Sequence, residues 1–316
     1  MILSYVLKRI GYALVVLFVV SIVTFTIIQL APGGPSVLAD PKLSSEEVAL
    51  IEARLGIDQP IPVQYARWVM GLLQGDMGRS FLYQTGVLET ILTRLPNTLI
   101  LAGISLAFSV LIAIPLGLYS AIRPYGALDQ TLSVLSLLSI SIPVFWLGLL
   151  LIILFAVTLR VLPAGGMATP GLEANVLNRL EHLILPVFVL STAGIAEIMR
   201  YTRSSARNVL RMDYVRTARA KGLPEAQVRR RHVLRNALIP VVTVIGLQLP
   251  RLVGGAAVTE TIFSWPGMGR LGVEAALSRD YPLIMGITLF VAVAVVTFNL
   301  IVDLIYPLLD PRIQLE

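Results

Sequence analysis

The sequence predicts an all-α membrane protein with six transmembrane helices, and three observations carry the prediction. Hydrophobic residues make up 56% of the 316, whereas globular domains run near 45–50%. Charged residues make up 14%, whereas about 25% is usual. Six apolar stretches are each long enough to cross a hydrocarbon core of about 30 Å, which takes about 20 helical residues. An apolar excess of this size cannot be hidden in a single core, because chains of this length divide rather than enlarge one. The mean hydropathy of +0.82 excludes disorder. With no cysteine, disulfides, thiolate metal sites and cysteine nucleophiles are excluded. Two histidines, His182 and His232, leave little for an imidazole metal cluster or a histidine-based triad.

The whole chain, 1–316, reads as one transmembrane domain. The first stretch, 10–31, carries Lys8 and Arg9 on its flank. It exceeds the core of a secretory signal, and Ala31-Pro32 is a poor cleavage context, so it is expected to stay as a helix. The segment 32–96 faces water. It opens with the turn-rich APGGP and continues into a short helix in which Ser44 and Glu47 form a capping box. Val48, Ile51 and Leu55 follow at helical spacing, and Gly56 ends the helix. A second helix begins near 60–62 and carries Tyr65, Trp68, Val69, Leu72 and Leu73 on one side. Two roles stay open for the segment: a scaffold lying on the span ends, or a docking platform for an external partner.

The remaining stretches are 97–119, 131–157, 183–201, 238–262 and 283–309. Pro115, Pro143, Pro186 and Pro250 are tolerated there, because neighbouring helices re-satisfy freed backbone groups. The fourth stretch is the weakest, with Glu197 and Arg200 near its end. Between it and the fifth lies a polar segment, 200–236. Residues 204–221 read as a helix, with Val209, Leu210, Tyr214, Val215 and Ala218 near helical spacing. The helix stops at Gly222, a natural C′ residue. Pro224 suits the first turn of the next helix, 224–237, and Glu225 favours its positive dipole end. That helix carries Arg229, Arg230, Arg231 and Arg235. The result is a helix–Gly–helix elbow between two spans.

The net charge of +6 could suggest a nucleic-acid partner, but its distribution argues otherwise. Eleven of the 25 Lys and Arg residues lie in 200–235. With the N-terminus inside, fifteen basic residues are inside, nine are outside and Arg251 is within a span. The positive-inside rule then puts both termini in the cytoplasm. The basic charge is a topology signal, and no nucleic-acid partner is expected. A basic face beside anionic lipid is attracted by about 1 kcal/mol per charge. Lipid attraction does not require a small-residue elbow, however, and that geometry suits insertion into a partner's groove.

At this elbow the sequence resembles a known family. YVRTARAKGLPEAQVRRRHVLRNALIP (214–240) is similar to the cytoplasmic coupling motif of ABC importer permeases of the dipeptide, oligopeptide and nickel group. Thr217-Ala218-Arg219 stands where Glu-Ala-Ala is expected, with Gly222 in register. His232 and Leu234-Arg235 replace the motif's Ile and Leu-Pro, and the Arg-Asn-Ala-Leu-x-Pro ending resembles the peptide group. LAPGGP (30–35), GDMGRS (75–80), RLPNTLIL (94–101), ETIFSWPGMGRL (260–271), SRDYPLIMG (278–286) and NLIVDLIYPLLDPRI (299–313) resemble the family too. The likeness covers essentially the whole chain.

The resemblance implies a type I ABC importer permease architecture in the bacterial inner membrane, working by alternating access. The implied partners are a second homologous permease, two ABC ATPase subunits, an external solute-binding protein and membrane lipid. The implied coupling residues are Thr217, Ala218, Ala220, Lys221, Gly222, Leu223, Pro224 and Glu225. No cofactor is expected in this chain, with ATP and Mg2+ on the ATPase subunits. In agreement, a P-loop needs Gly-Lys-Ser/Thr, and none of Lys8, Lys42 and Lys221 follows a glycine. The shared segments lean toward short peptides as the substrate, with nickel chelates and glutathione as alternatives.

Charges inside the bilayer are read separately. Arg251, midway along the fifth stretch, should face protein or water, since a central Arg costs at least about 2.5–3.5 kcal/mol. It is either a pathway residue or a structural partner of an acid. Ser139, Ser141 and Thr259 are pathway candidates, although helical Ser and Thr often bond their own backbone. Glu260 reads as a cap before the WPGMG turn, and Asp303 as a partner for the basic elbow. His182 reads as interfacial at the start of its span, and His232 as exposed or interfacial. An ion-coupled secondary transporter is the competing class, and it would carry inverted repeats with acids near the midplane. An intramembrane protease would need a Ser–His pair or paired Asp within the bilayer, and neither is visible.

Overall fold

The computed structural model describes residues 2–30, 34–35, 44–254 and 256–309, without the side chains of 2–5, 45, 54, 55, 251 and 305–309. Most of the predicted 31–35 turn, together with Lys42 and Arg312, lies outside the described residues. The described residues are mostly helical, with no β-strand among them.

Four of the six predicted spans are single long helices: α1 (Ile2–Leu30), α4 (Val87–Ile122), α7 (Val176–Leu210) and α14 (Tyr281–Leu309). All four contain stretches long and apolar enough to cross a membrane. The short helices α2 (Ser45–Leu55) and α3 (Ile61–Leu73) lie between α1 and α4. Ser44 and Glu47 form the predicted capping box, and Gly56 ends α2. Hydrogen bonds from the Ser44 N–H, and then from its hydroxyl, hold the Glu47 carboxyl below its ordinary pKa. Helix α3 lies on α1 through Phe25, Tyr65 and Trp68, whose rings are 5.4–6.1 Å apart. The Tyr65 hydroxyl lies 2.8 Å from Ser21 Oγ.

The other two predicted spans differ from straight helices. The third is a pair, α5 (Ala127–Ser141) and α6 (Val144–Leu151), the latter continuing as a π-helix to Thr158. The pair bends by 102°, and counting it as one span makes five. Pro143 causes the bend: Ile142 before it is extended at ψ 125°, as the residue preceding proline prefers. The fifth is divided into α10 (Arg235–Gly246), α11 (Leu249–Gly254) and α12 (Ala257–Ile262). The helical ladder tightens at Gln248 N–H to Ile245 O, 3.0 Å. Pro250 then has no N–H to offer the Gly246 carbonyl.

Helices α4 and α7 run in the same direction and form the centre. Leu101 clusters with Leu183 and Val187, Ala113 with Ile198 and Met199, and Ala121 with Ala206 and Val209. Gly117 sets their separation, since a Cβ there would lie 2.7 Å from the Met199 carbonyl oxygen. Helix α14 begins beside the start of α4, with Leu283 and Ile287 against Val87 and Ile91. At its far end Asp303 pairs with Arg9 of α1 at 2.8 Å. Asp303 was expected to serve the elbow, but the antiparallel packing of α1 on α14 brings it to Arg9 first. His182, expected at an interface, is buried, because α7 begins earlier than predicted. Its Nδ1 lies 2.8 Å from the Asn178 carbonyl oxygen.

Candidate functional site

The elbow is built where α4 and α7 end. The predicted helix 204–221 is two helices, because the α7 ladder closes early with Met212 N–H on Val209 O at 3.0 Å. Met212 is extended, at ψ 146°, and α8 (Asp213–Ala220) starts after it. Helix α8 ends in a Schellman motif: Gly222 N–H bonds Arg219 O at 2.9 Å, and Leu223 N–H bonds Ala218 O at 3.3 Å. Gly222 sits at φ +77°, a region that costs an L-residue roughly 1–2 kcal/mol. The sequence located this turn correctly. Pro224, expected in the first helical turn, is instead the N-cap of α9 (Glu225–Gln227). The chain then passes through a π-helix, Val228–Leu234, into α10. Arg219 reaches back across the turn to Glu225 at 2.7 Å.

The elbow has an inside and an outside. Val215, Ala218, Val228, Val233 and Ala237 are buried against Ala121, Ala206 and Val209. Val228 and Val233 are five residues apart and both face inward, as the wider π turn allows. Of the eight residues singled out from the sequence, Thr217, Ala220, Lys221, Gly222, Pro224 and Glu225 are exposed, and Leu223 is half-buried. Ala218 is the exception, 5% exposed, because it belongs to the elbow's own core.

The opposite end of the bundle is organised by Glu260, 0% exposed. Its Oε1 accepts from the Thr98 hydroxyl at 2.9 Å, and its Oε2 accepts from Arg270 N–H at 2.9 Å. Thr98 Oγ1 also accepts from Met268 N–H at 2.7 Å. Thr98, remote in sequence, and Glu260, ten residues before Arg270, thus cap the first turn of α13 (Met268–Leu277), whose own N-cap is Gly267. No side chain fits at Gly267, since a Cβ would lie 2.5 Å from the Glu260 carboxyl carbon. The capping role expected for Glu260 is its observed role. Trp265, 1% exposed, anchors the turn by donating Nε1–H to the Asn97 carbonyl at 2.9 Å.

The sequence reading missed three polar partnerships. Asp280 accepts from the Ser80 hydroxyl at 2.5 Å and from Leu82 N–H at 2.9 Å, joining GDMGRS to SRDYPLIMG. Its place just before Tyr281-Pro282, at the start of α14, was the signal available. Asp129 pairs with Arg203 at 2.6 Å. Glu197 accepts from Gln248 Nε2 at 3.4 Å, at the break between α10 and α11.

The pathway candidates are not brought together. Ser139 and Ser141 donate to Leu135 O and Leu137 O at 2.8 and 2.9 Å and are exposed. Thr259 is buried, 1% exposed, in α12. Arg251 lies in α11, and its side chain is outside the described residues. Among the described residues no cluster of His, Asp and Glu could hold a metal ion.

The family described as "Binding-protein-dependent transport system inner membrane component" matches residues 113–315. The matching N-terminal family, "Binding-prot-dependent transport system membrane comp, N-term", covers residues 2–102. The chain belongs to the binding-protein-dependent transport system inner membrane component family. Among its relatives is the oligopeptide transport system permease protein AppB of Bacillus subtilis, 44% identical over 313 residues, 98% of this chain and 99% of AppB. Another is the dipeptide transport system permease protein DppB of Escherichia coli K12, 37% identical over 335 residues and 99% of each chain. As a member of the binding-protein-dependent family, the chain is a multi-pass inner-membrane permease component of a transporter.

Proposed function

We propose that this chain forms half of the transmembrane pathway of an ATP-driven importer of short peptides, di- or oligopeptides, handed over by an external binding protein. The observation that carries the reading is full-length similarity to AppB and DppB, whose names state oligopeptide and dipeptide transport. A second homologous permease completes the pathway, and two ABC ATPase subunits bind ATP and Mg2+. The absence of a Gly-Lys-Ser/Thr motif in this chain supports that division of labour.

The exposed elbow residues 217 and 220–225 dock in a groove of an ATPase subunit, while Ala218 holds the elbow to α4 and α7. Closure of the ATPases on ATP moves the elbow, and the spans rock to open outward. Both termini and the elbow (200–236) lie in the cytoplasm, and segment 32–96 lies outside. The nearness of Arg9 to Asp303, and their shared end with the elbow, support the termini being on one side. Arg251 and Thr259 stay as pathway residues in this reading. Ser139 and Ser141 have weaker support, since both bond their own backbone.

The test is ATP-coupled uptake of a radiolabelled dipeptide by the complete transporter, with copurification of the ATPase subunits. Ala220→Glu and Gly222→Val are expected to lower both while the chain stays folded in the membrane. Unchanged uptake and copurification would overturn the elbow's role. Uptake of a nickel chelate or glutathione in place of peptides would overturn the substrate.

A further inference from the structure

Four arginines line one stripe where the apolar run of α7 ends: Arg200, Arg203 and Arg207 in the helix and Arg211 at its C-cap, spaced by three, four and four residues. Together with Tyr125 they border an open groove of about 340 Å³, within the size range of small-molecule sites, about 300–1,000 Å³. Like charges three and four residues apart on a helix repel one another, so an unoccupied stripe of this kind is unfavourable. Among the described residues Asp129 is the carboxylate paired with it, and that carboxylate is already engaged. It accepts from the Ser120 hydroxyl, from Tyr125 N–H at 2.8 Å and from Arg203 at 2.6 Å. Among the described residues, Arg200, Arg207 and Arg211 form no ion pair.

The groove is built rather than incidental. Tyr125 is held at φ +63°, a conformation that is unfavourable for a non-glycine residue and here fixed by Asp129. In that position its ring stacks under the Arg207 guanidinium, 5.1 Å from centroid to Cζ. Backbone strain maintained by surrounding bonds is characteristic of ligand sites. Leu128 and Tyr201, next in sequence to Asp129 and Arg200, are 45% exposed each. The groove therefore borders exposed apolar side chains at the end of a membrane-length helix.

We propose that this groove binds the phosphate of an anionic membrane lipid, with Arg200, Arg207 and Arg211 as donors and Arg203 and Tyr125 as their fixed frame. Basic pockets between membrane helices suit such headgroups, and the exposed apolar neighbours favour a lipid over a soluble anion. The site is independent of the transported substrate.

The test uses the full chain in phosphatidylcholine vesicles containing spin-labelled phosphatidylglycerol or phosphatidylcholine, reading the motionally restricted fraction of each. The wild type is expected to prefer phosphatidylglycerol. Arg207→Gln and Arg211→Gln are each expected to lower that preference by about fivefold. The triple variant Arg200→Gln/Arg207→Gln/Arg211→Gln is expected to abolish it. Arg229→Gln/Arg230→Gln/Arg231→Gln removes equal charge outside the groove and is expected to keep most of it. Equal loss in both triple variants would mean a diffuse field and overturn the site. No preference in the wild type, or its retention in both single variants, would overturn it as well. Complete competition by inorganic phosphate would assign the groove to a free anion and overturn the lipid.

Discussion

At the Trp265 end of the molecule, buried carboxylates join groups far apart in the chain: Glu260 to Thr98 and Arg270, and Asp280 to Ser80 and Leu82. At the elbow end the buried Asp129 joins Ser120 of α4 to Arg203 of α7, but the elbow packs on these helices through alanine and valine side chains of α8, the π-helix and α10, with its charges pointing outward. Hydrogen bonds are directional, and losing one inside a protein leaves an orphan. Contacts between small apolar side chains have no such register. The first end is therefore fixed in geometry, while the elbow is seated on α4 and α7 by contacts that have no directional bond. Under the proposed function, the firm end would set the pathway and the elbow would receive the movement of the ATPases.

The contrast can be broken most severely at Glu260. Glu260→Ala leaves the Arg270 N–H and the Thr98 hydroxyl buried without their acceptor, at about 1–3 kcal/mol each. Thermal unfolding in detergent should show a loss of roughly 2–5 kcal/mol, with Glu260→Gln less affected. A loss under about 1 kcal/mol would mean that this end is not held by its carboxylate. Next comes Gly117→Ala, which forces α4 from α7 at the Met199 carbonyl and should cost about 1–3 kcal/mol by the same measurement.

At the elbow, Gly222→Val should cost about 1–2 kcal/mol and lower uptake more than it lowers global stability, because a Cβ there meets no neighbouring atom within 4 Å. If Gly222→Asn, which tolerates this conformation better, were as inactive as Gly222→Val, strain would not be the cause. Arg219→Gln breaks an exposed pair with Glu225, and surface pairs contribute about 0–1 kcal/mol. Melting should hardly change, so any loss of ATPase copurification would report the elbow's shape. Smallest of all, Ser139→Ala with Ser141→Ala should stay within about 0.5 kcal/mol and leave uptake intact. A large uptake defect there would restore both serines to the pathway.

Local chemistry was legible in the sequence. Ser44, Glu47 and Gly56 announced α2 at both ends, and Gly222 announced the elbow, because caps are made by residues within a few positions of one another. The family motifs were legible too. Helix breaks were harder, since apolar runs look alike whether straight or bent. Pro143 was tolerated in the expected third span but bends it by 102°, and the Gln248 break left no apolar gap. The long-range partners were not legible at all. Nothing near Asp303 says that Arg9, at the other end of the chain, will reach it before the basic elbow does. Periodicity did put Ala218 on one stripe with Val215, but it does not tell that α7 stops and α8 begins between Val209 and Val215.

The Arg9–Asp303 pair has a consequence for how the protein is made. Helix α1 is made before the other described helices, yet its polar anchor on α14 does not exist until the last of them has been synthesised. Until then α1 must reside in lipid on its own hydropathy, packed on α3 through Phe25, Tyr65 and Trp68. Of the described helices, the earliest made thus gains its polar anchor from the latest.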